Sequence, residues 1–263
     1  MNIERTPGIL GDPPENDPLH NDHVRRMVEY YSRTGPQYNT WHCNRGDSSS
    51  HNFAVREISR TMREVHAHSL LDVGCGTGRG VRAALDLGYD AVGLDISADL
   101  LAIARKELSI PEDRLIHGDA TKLPFPDSRF DVSCILGALH HSAQPHKIIG
   151  EMIRVTKKAI IVSDEANHLS GGIKQVLLRL GLFDIVYRLL FQRPVRTVRR
   201  QTDSEQDGPT FVFSIEEIIP TLKRYFPRFR CLTFYKFGRY QICSYKFPRL
   251  FAKQGIIVVS REQ

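Results

Sequence analysis

The sequence predicts a single α/β domain built on a doubly wound, mostly parallel sheet. Three observations lead there: strand-like and helix-like segments alternate from residue 69 onward, a glycine-rich turn falls between the first strand and its helix, and three successive predicted strands carry an acid at or beside their carboxyl ends. Alternation of this kind marks a parallel sheet covered by helices on both faces.

Taken in order, residues 1–20 hold Pro7, Gly8, Gly11, Pro13, Pro14 and Pro18 and are expected to form an irregular leader. A helical cap over 21–68 follows. Residues 23–32 carry Val24, Met27, Val28 and Tyr31 at helical spacing, and 53–65 carry Phe53, Val55, Ile58, Met62 and Val65. Between them Thr34-Gly-Pro-Gln-Tyr reads as a break. The core, 69–263, is expected to supply strands at 69–73, 91–95, 115–117, 130–136, 159–164, 231–235 and 256–260. Helices are expected at 79–87, 98–107, 145–155 and 215–224. Two insertions interrupt this rhythm, at about 166–208 and 238–254. The first contains an amphipathic pattern over 173–191, read as a helical cap or a membrane-surface element.

Composition narrows the class. A chain of 263 residues, 41% hydrophobic and 25% charged, can bury one sizeable core. No apolar run reaches the ~18 residues of a spanning helix, and the polar, Pro-rich start argues against an export signal. Five cysteines, Cys43, Cys75, Cys134, Cys231 and Cys243, lie far apart without CxxC pairs. They suggest neither a disulfide framework nor a metal site, and a cytoplasmic home fits. The net charge is +6, and between Arg188 and Lys253 there are 14 Lys and Arg against five Asp and Glu. That stretch is either a solvated face or an attractor for an anionic or carrier-linked acceptor, nucleic acid or an anionic membrane, so peripheral membrane contact stays open.

The chemistry concentrates in Leu70-Leu-Asp-Val-Gly-Cys-Gly-Thr-Gly. Glycines at 74, 76 and 78 let the backbone approach a ligand at the carboxyl end of the sheet. Their spacing is GxGxG, unlike the GxGxxG of a dinucleotide fingerprint. Asp72 adds a negative charge there, which repels a pyrophosphate and suits a ligand carrying an amine and a sulfonium. Asp95, in Val92-Gly-Leu-Asp-Ile-Ser, is placed to accept from both hydroxyls of a ribose. Asp119, in His117-Gly-Asp-Ala, is placed to read an adenine amino group.

With those residues in view, the chain resembles the class I S-adenosylmethionine-dependent methyltransferases, in the small-molecule, type 11-like branch that carries a DVGCGTG loop. The likeness runs on through Asp119-Ala-Thr-Lys-Leu-Pro-Phe-Pro-Asp-Ser-Arg-Phe-Asp-Val to Leu139-His-His, covering about 69–164. It implies a seven-stranded sheet with an antiparallel edge hairpin and S-adenosylmethionine as cofactor. It also implies contacts from Gly74, Gly76 and Gly78, from Asp95 to the ribose, from Asp119 and Ala120 to the adenine, and from Leu136 and Gly137 to the methionine part. Asp72, Cys75, Thr77 and Ile96 complete the expected cofactor site. The N-terminal helices should lie over it, with Tyr30, Tyr31, Tyr38 or Trp41 shielding the sulfonium or simply packing.

Methyl transfer needs alignment and exclusion of water more than a dedicated base. His141, His168 and His140 are the candidates for removing a proton from a hydroxyl, with a loop-ordering role as the alternative for the 140–141 pair. The expected reaction is O-methylation of a sugar or secondary-metabolite hydroxyl, with C-methylation of a quinone-like ring beside it. Nucleic-acid methylation is disfavoured because the fourth strand ends Ile135-Leu-Gly-Ala, without an element to hold a flipped base. An NAD-dependent oxidoreductase is disfavoured by the loop spacing and Asp72.

Overall fold

In the computed structural model the described residues are 18–43, 50–165, 201–204, 208–211, 215–237, 240–244 and 254–261. Helix α1 (Pro18–Cys43) and helix α2 (Ser50–Glu64) precede strand β1 (Ser69–Val73), helix α3 (Arg79–Asp86), strand β2 (Asp90–Asp95) and helix α4 (Ala98–Leu108). Strand β3 (Leu115–His117), strand β4 (Phe130–Leu136), helix α5 (Pro145–Val155) and strand β5 (Thr156–Glu165) complete the parallel half. Strands β6 (Gln201–Ser204) and β7 (Gly208–Phe211) form a separate two-stranded ribbon. Helix α6 (Ile219–Tyr225) then leads into β8 (Arg228–Phe237), β9 (Tyr240–Ser244) and β10 (Gln254–Ser260).

The main sheet runs in the order β3-β2-β1-β4-β5-β10-β8-β9. Its first five strands are parallel, and β10 is antiparallel to both β5 and β8. The expected hairpin pairing is present, with Ile256 opposite Leu232. An eighth strand, β9, extends the seven beyond β8 and lies inside the segment set aside as the second insertion.

Strand alternation sorts the core into two layers. Leu70, Ala91, Val132, Cys134, Ile161, Ile256 and Val258 pack under α2, α3 and α4. Leu71, Val92, Ile135, Ile160, Val162, Ile257 and Val259 pack against α5 and α6. Both faces are covered, which is why the central strands read as apolar runs. The strand order reverses between β1 and β4, so a crevice opens beyond their carboxyl ends, where ligands bind in open α/β sheets.

Several expectations are corrected. Helix α1 begins at Pro18, so the leader ends earlier than residue 20. It also runs unbroken through Gly35 and Pro36. Gly35 is there for a different reason than a turn: a Cβ on it would stand 3.2 Å from Ile103 Cδ1, so it permits the close crossing of α1 over α4. Thr34 Oγ1 donates to the carbonyl of Tyr30 at 2.9 Å, just ahead of the proline. Over 215–224 the chain makes a short 3-10 turn (Ile215–Glu217) before α6 instead of one helix. The pattern at 173–191, the arginines 193–200 and His168 lie outside the described residues.

Gly78 caps α3 at φ +79°, and a Cβ on it would fall 2.4 Å from Ile110 Cδ1. Gly88 has a similar φ of +82° with nothing near. Gly88→Ala should therefore cost about 1–2 kcal/mol from left-handed backbone alone, and Gly78→Ala a further 1–3 kcal/mol or so from overpacking. Urea unfolding of the two variants measures the difference; equal losses would show that the Ile110 contact yields freely.

Candidate active site

The turn after β1 is shaped by its neighbours. The amides of Gly74 and Cys75 donate to the carbonyl of Leu94 at 2.7 and 3.1 Å, and the Gly76 amide donates to Asp95 Oδ2 at 2.7 Å. Asp95 Oδ1 accepts the amide of Ser97 at 2.9 Å. One carboxylate thus joins the loops that follow β1 and β2. Gly74 and Gly76 both sit at positive φ, and a Cβ on Gly74 would meet Ala138 Cβ at 2.7 Å, so the loops after β1 and β4 touch through a bare backbone.

Two adjoining cavities follow from this arrangement. The larger is lined from the sheet side by Gly74, Gly76, Asp95, Ile96, Asp119, Ala120, Leu136 and Gly137, and from α1 by His20, His23, Val24, Met27, Tyr31 and Tyr38. The smaller shares Tyr38, Gly74, Gly76 and Leu136 and adds Asp72, Cys75, Thr77 and Arg79. Every cofactor residue expected from the sequence lines one or the other except Gly78, whose place is under Ile110. Gly137 stands at φ +70° with no atom within 4 Å of an added Cβ, which leaves its backbone open to a ligand. Acids placed for hydroxyl and amino groups, bare glycine backbone and an apolar wall fit a nucleoside joined to an amino acid.

The three acids differ electrostatically. Asp72 is buried, and burial pushes its carboxyl up to about 7 although the Cys134 thiol donates to it at 3.3 Å. Burial also lifts Asp95 above the ordinary carboxylate range, against the amides of Ser97 and Gly76. Burial acts in the same direction on Asp119, but His20 at 2.9 Å and the Thr121 amide at 2.8 Å outweigh it and hold the carboxyl below its usual value.

The loop between β4 and α5 carries the histidines. Asp164, 3% exposed at the end of β5, accepts the amides of Leu139 and His140 on Oδ2 at 2.9 and 3.3 Å, while its Oδ1 meets His140 Nδ1 at 2.7 Å. His140 is thereby directed away from the larger cavity, onto Asp164. His141 lines that cavity, with Nδ1 3.0 Å from the carbonyl of Pro209 and Nε2 3.5 Å from the Tyr31 hydroxyl. Burial, helped by His140, pushes the His141 imidazole down to about 3. The ribbon and α1 form the far wall: Gly208 abuts the Tyr30 ring, and Phe211 stacks at 4.4 Å on His23, whose Nε2 meets the His141 carbonyl. Tyr31 and Tyr38 are the aromatics on the larger cavity, whereas Tyr30 packs under the ribbon; the side chain of Trp41 lies outside the described residues.

His20 and His23 were not anticipated: His20 fell in the stretch read as a leader, and His23 opened the first helical pattern without being assigned to the site. The available signal was the spacing of His20, Val24, Met27, Tyr31 and Tyr38, which puts them on one helical face.

Residues 71–162 match the methyltransferase domain family. A demethylmenaquinone methyltransferase of Renibacterium salmoninarum is 35% identical over 164 residues, 62% of this chain and 64% of that protein. The chain thus spans less than two thirds of this relative's length, and 34% and 41% of two others. Among solved structures, an S-adenosylmethionine-dependent methyltransferase of Thermotoga maritima, described as a possible histamine N-methyltransferase, superposes with a TM-score of 0.56 at 19% identity, covering 90% of this chain and all of that one. Magnesium protoporphyrin IX methyltransferase of Synechocystis, solved with S-adenosylhomocysteine bound, gives 0.56 at 15% identity over 92% of this chain and 100% of that one.

The raised carboxyl of Asp72 sets a pH dependence. Protons bound to the folded state but not to the unfolded one, whose carboxyl titrates near 4, stabilise the fold at low pH and are lost as pH rises toward 7. Wild type should lose stability relative to Asp72→Asn between about pH 4 and pH 7. Urea midpoints of both at pH 5 and pH 8, without added ligand, check this; a constant difference would mean that Asp72 stays ionised.

Proposed function

We propose, from the match of residues 71–162 to the methyltransferase domain family and from the class I methyltransferase fold, that this protein transfers the methyl group of S-adenosylmethionine to a ring carbon of a quinone-like small molecule. The observation that carries the reading is the larger cavity, which joins two acidic strand ends, Asp95 and Asp119, and a bare glycine turn to an apolar, aromatic wall from α1.

S-adenosylmethionine, when bound, supplies a methyl group on positively charged sulfur. The smaller cavity, with Asp72 and Thr77, suits the amino-acid end of that molecule. Asp95 keeps lone pairs for the ribose hydroxyls beyond those taken by Gly76 and Ser97. Asp119, held ionised, accepts from the adenine amino group. Tyr31 and Tyr38 exclude water above the reacting carbon and offer aromatic faces to the sulfonium.

Two considerations place the quinone-like acceptor ahead of the sugar hydroxyl. The wall that holds Val24, Met27, Leu136, Ala138 and Ile148 is apolar, whereas a sugar needs several hydrogen-bond partners. The relatives that share 35–40% identity are named demethylmenaquinone methyltransferases. The ring reacts in its reduced, hydroxylated form, because a quinone is electron-poor and a hydroquinone has a nucleophilic carbon beside its hydroxyl. Among the histidines, His141 serves the acceptor, and His140, through Asp164, orders the loop that presents it.

Calorimetry with S-adenosylmethionine and with NAD tests the cofactor. S-adenosylmethionine should bind and NAD should not, and Asp95→Ala should weaken binding by about 10–100-fold through lost charged hydrogen bonds. Incubation with reduced 2-geranyl-1,4-naphthoquinone should then give a product heavier by one methylene in mass spectrometry. Binding of NAD instead would sink the cofactor assignment; binding of S-adenosylmethionine with no methylated naphthoquinol would sink the acceptor.

A further inference from the structure

From the arrangement of Tyr31, His141 and the Pro209 carbonyl we infer a proton relay in which Tyr31 is the catalytic residue that touches the acceptor hydroxyl and His141 receives the proton behind it. This rests on the proposed methyl transfer and deepens it.

The argument begins with hydrogen-bond bookkeeping on one ring. A carbonyl oxygen only accepts, so His141 Nδ1, 3.0 Å from Pro209 O, must carry a proton. A neutral imidazole has only one, and burial keeps this ring neutral. Nε2 is therefore a bare acceptor, and the group beside it is the hydroxyl of Tyr31 at 3.5 Å. The phenol O–H is the donor to that nitrogen, and both side chains line the cavity in which an acceptor hydroxyl would lie. A separation of 3.5 Å is long for a hydrogen bond; catalytic contacts tighten when substrate closes the site.

Three separate parts of the fold are needed for this. Tyr31 comes from α1, where it is 7% exposed and set edge-on to Tyr30 and Tyr38. His141 comes from the loop that Asp164 clamps through Leu139 and His140. Pro209 comes from β7, whose preceding Gly208 lies against Tyr30 so closely that a Cβ there would be 2.7 Å from the ring. Pro209 is thus a positioning residue, fixing the tautomer through its backbone.

The step balances as follows. The acceptor hydroxyl gives its proton to the Tyr31 oxygen while the Tyr31 proton passes to His141 Nε2. The ring carbon's electron pair forms the bond to the methyl carbon, and the pair of the breaking sulfur–carbon bond returns to sulfur. Loss of the ring proton to the adjoining oxygen restores the aromatic hydroquinone, and the net proton leaves on His141. Sulfur gives up its positive charge as the imidazole gains one, so the cleft holds one cation throughout. That constancy lets a ring so reluctant to charge in the resting site accept a proton at that moment. The groups facing His141 are His140, Asp164, His23 and Tyr31, and only Asp164 among them is anionic.

The test has two arms. With reduced 2-geranyl-1,4-naphthoquinone as acceptor, Tyr31→Phe should lower kcat about a hundredfold or more while leaving KM and S-adenosylmethionine affinity within a few-fold. His141→Asn, whose amide nitrogen can replace Nδ1 toward Pro209 but has nothing at Nε2, should keep stability and lose kcat likewise. Wild-type kcat in Tyr31→Phe overturns the relay. The second arm needs no acceptor: nitrogen NMR of histidine-labelled protein at pH 7 should find His141 protonated on Nδ1 alone, with an Nε2 signal that moves in Tyr31→Phe. A proton on Nε2, or a signal blind to that substitution, overturns the relay too. If wild type binds S-adenosylmethionine yet leaves the naphthoquinol unmethylated, the acceptor reading falls by itself and the NMR arm still decides the relay.

Discussion

The carboxylate of Asp95 is the contact on which the site depends. Alone, a carboxyl that is 7% exposed would be costly to bury. The Gly76 and Ser97 amides offset part of that cost, and in accepting them Asp95 pins the turn after β1 to the start of α4. With the turn pinned, Gly74 meets Ala138, and the loop after β4 is drawn to the same edge. Asp164 holds that loop from the other side through two amides and His140. Two buried acids on different strands therefore set the distance between the loops, and the cavity is what remains between them.

How much of this was legible depends on how local the cause is. Strands β1 to β5, the turn glycines and the three acids follow from short-range patterns: apolar runs of strand length, breakers after them, and a charge at each strand end. Gly35 and Pro36 misled for a physical reason. Gly and Pro signal a turn when chain reversal is what the position needs, but here the glycine answers a tertiary demand, the approach of α1 to Ile103. A helix already anchored by Tyr30, Tyr31 and Met27 on Leu100 can carry a proline that an isolated helix could not. Strand β9 was hidden similarly, since an edge strand is defined by its pairing with β8 and that partner is not visible in its own residues.

The groups proposed for catalysis were less legible than those proposed for the cofactor. His140 and His141 are adjacent and look equivalent in sequence, yet the 3-10 turn Leu139–His141 sends one ring to Asp164 and the other to Pro209 and Tyr31. Tyr31 stands 110 positions from His141 and Pro209 stands 68 away. Loops and caps supplied from distant segments are where such folds vary their chemistry while the sheet stays the same. The ribbon β6–β7 belongs to that class: it straddles the end of the stretch set aside as an insertion for interrupting the strand–helix rhythm, while its role as a wall comes from one glycine against Tyr30 and one carbonyl against an imidazole.

The acids and histidines also form one electrostatic design. Asp72 and Asp95 are both lifted by burial, and each raises the cost of ionising the other. Two crowded carboxylates on this edge of the sheet are an unfavourable arrangement for an empty cleft and a favourable one for a cleft holding a cation, because a positive ligand favours the ionised forms that burial opposes. Asp119 needs no such help, since His20 and Thr121 already stabilise its charge, and it can serve a neutral partner such as an amino group. His141 completes the pattern from the opposite direction: burial keeps it uncharged, and in the proposed reaction it takes up charge as the cation is discharged. A ligand that brings one positive charge and loses it during reaction is the kind that all four groups suit together.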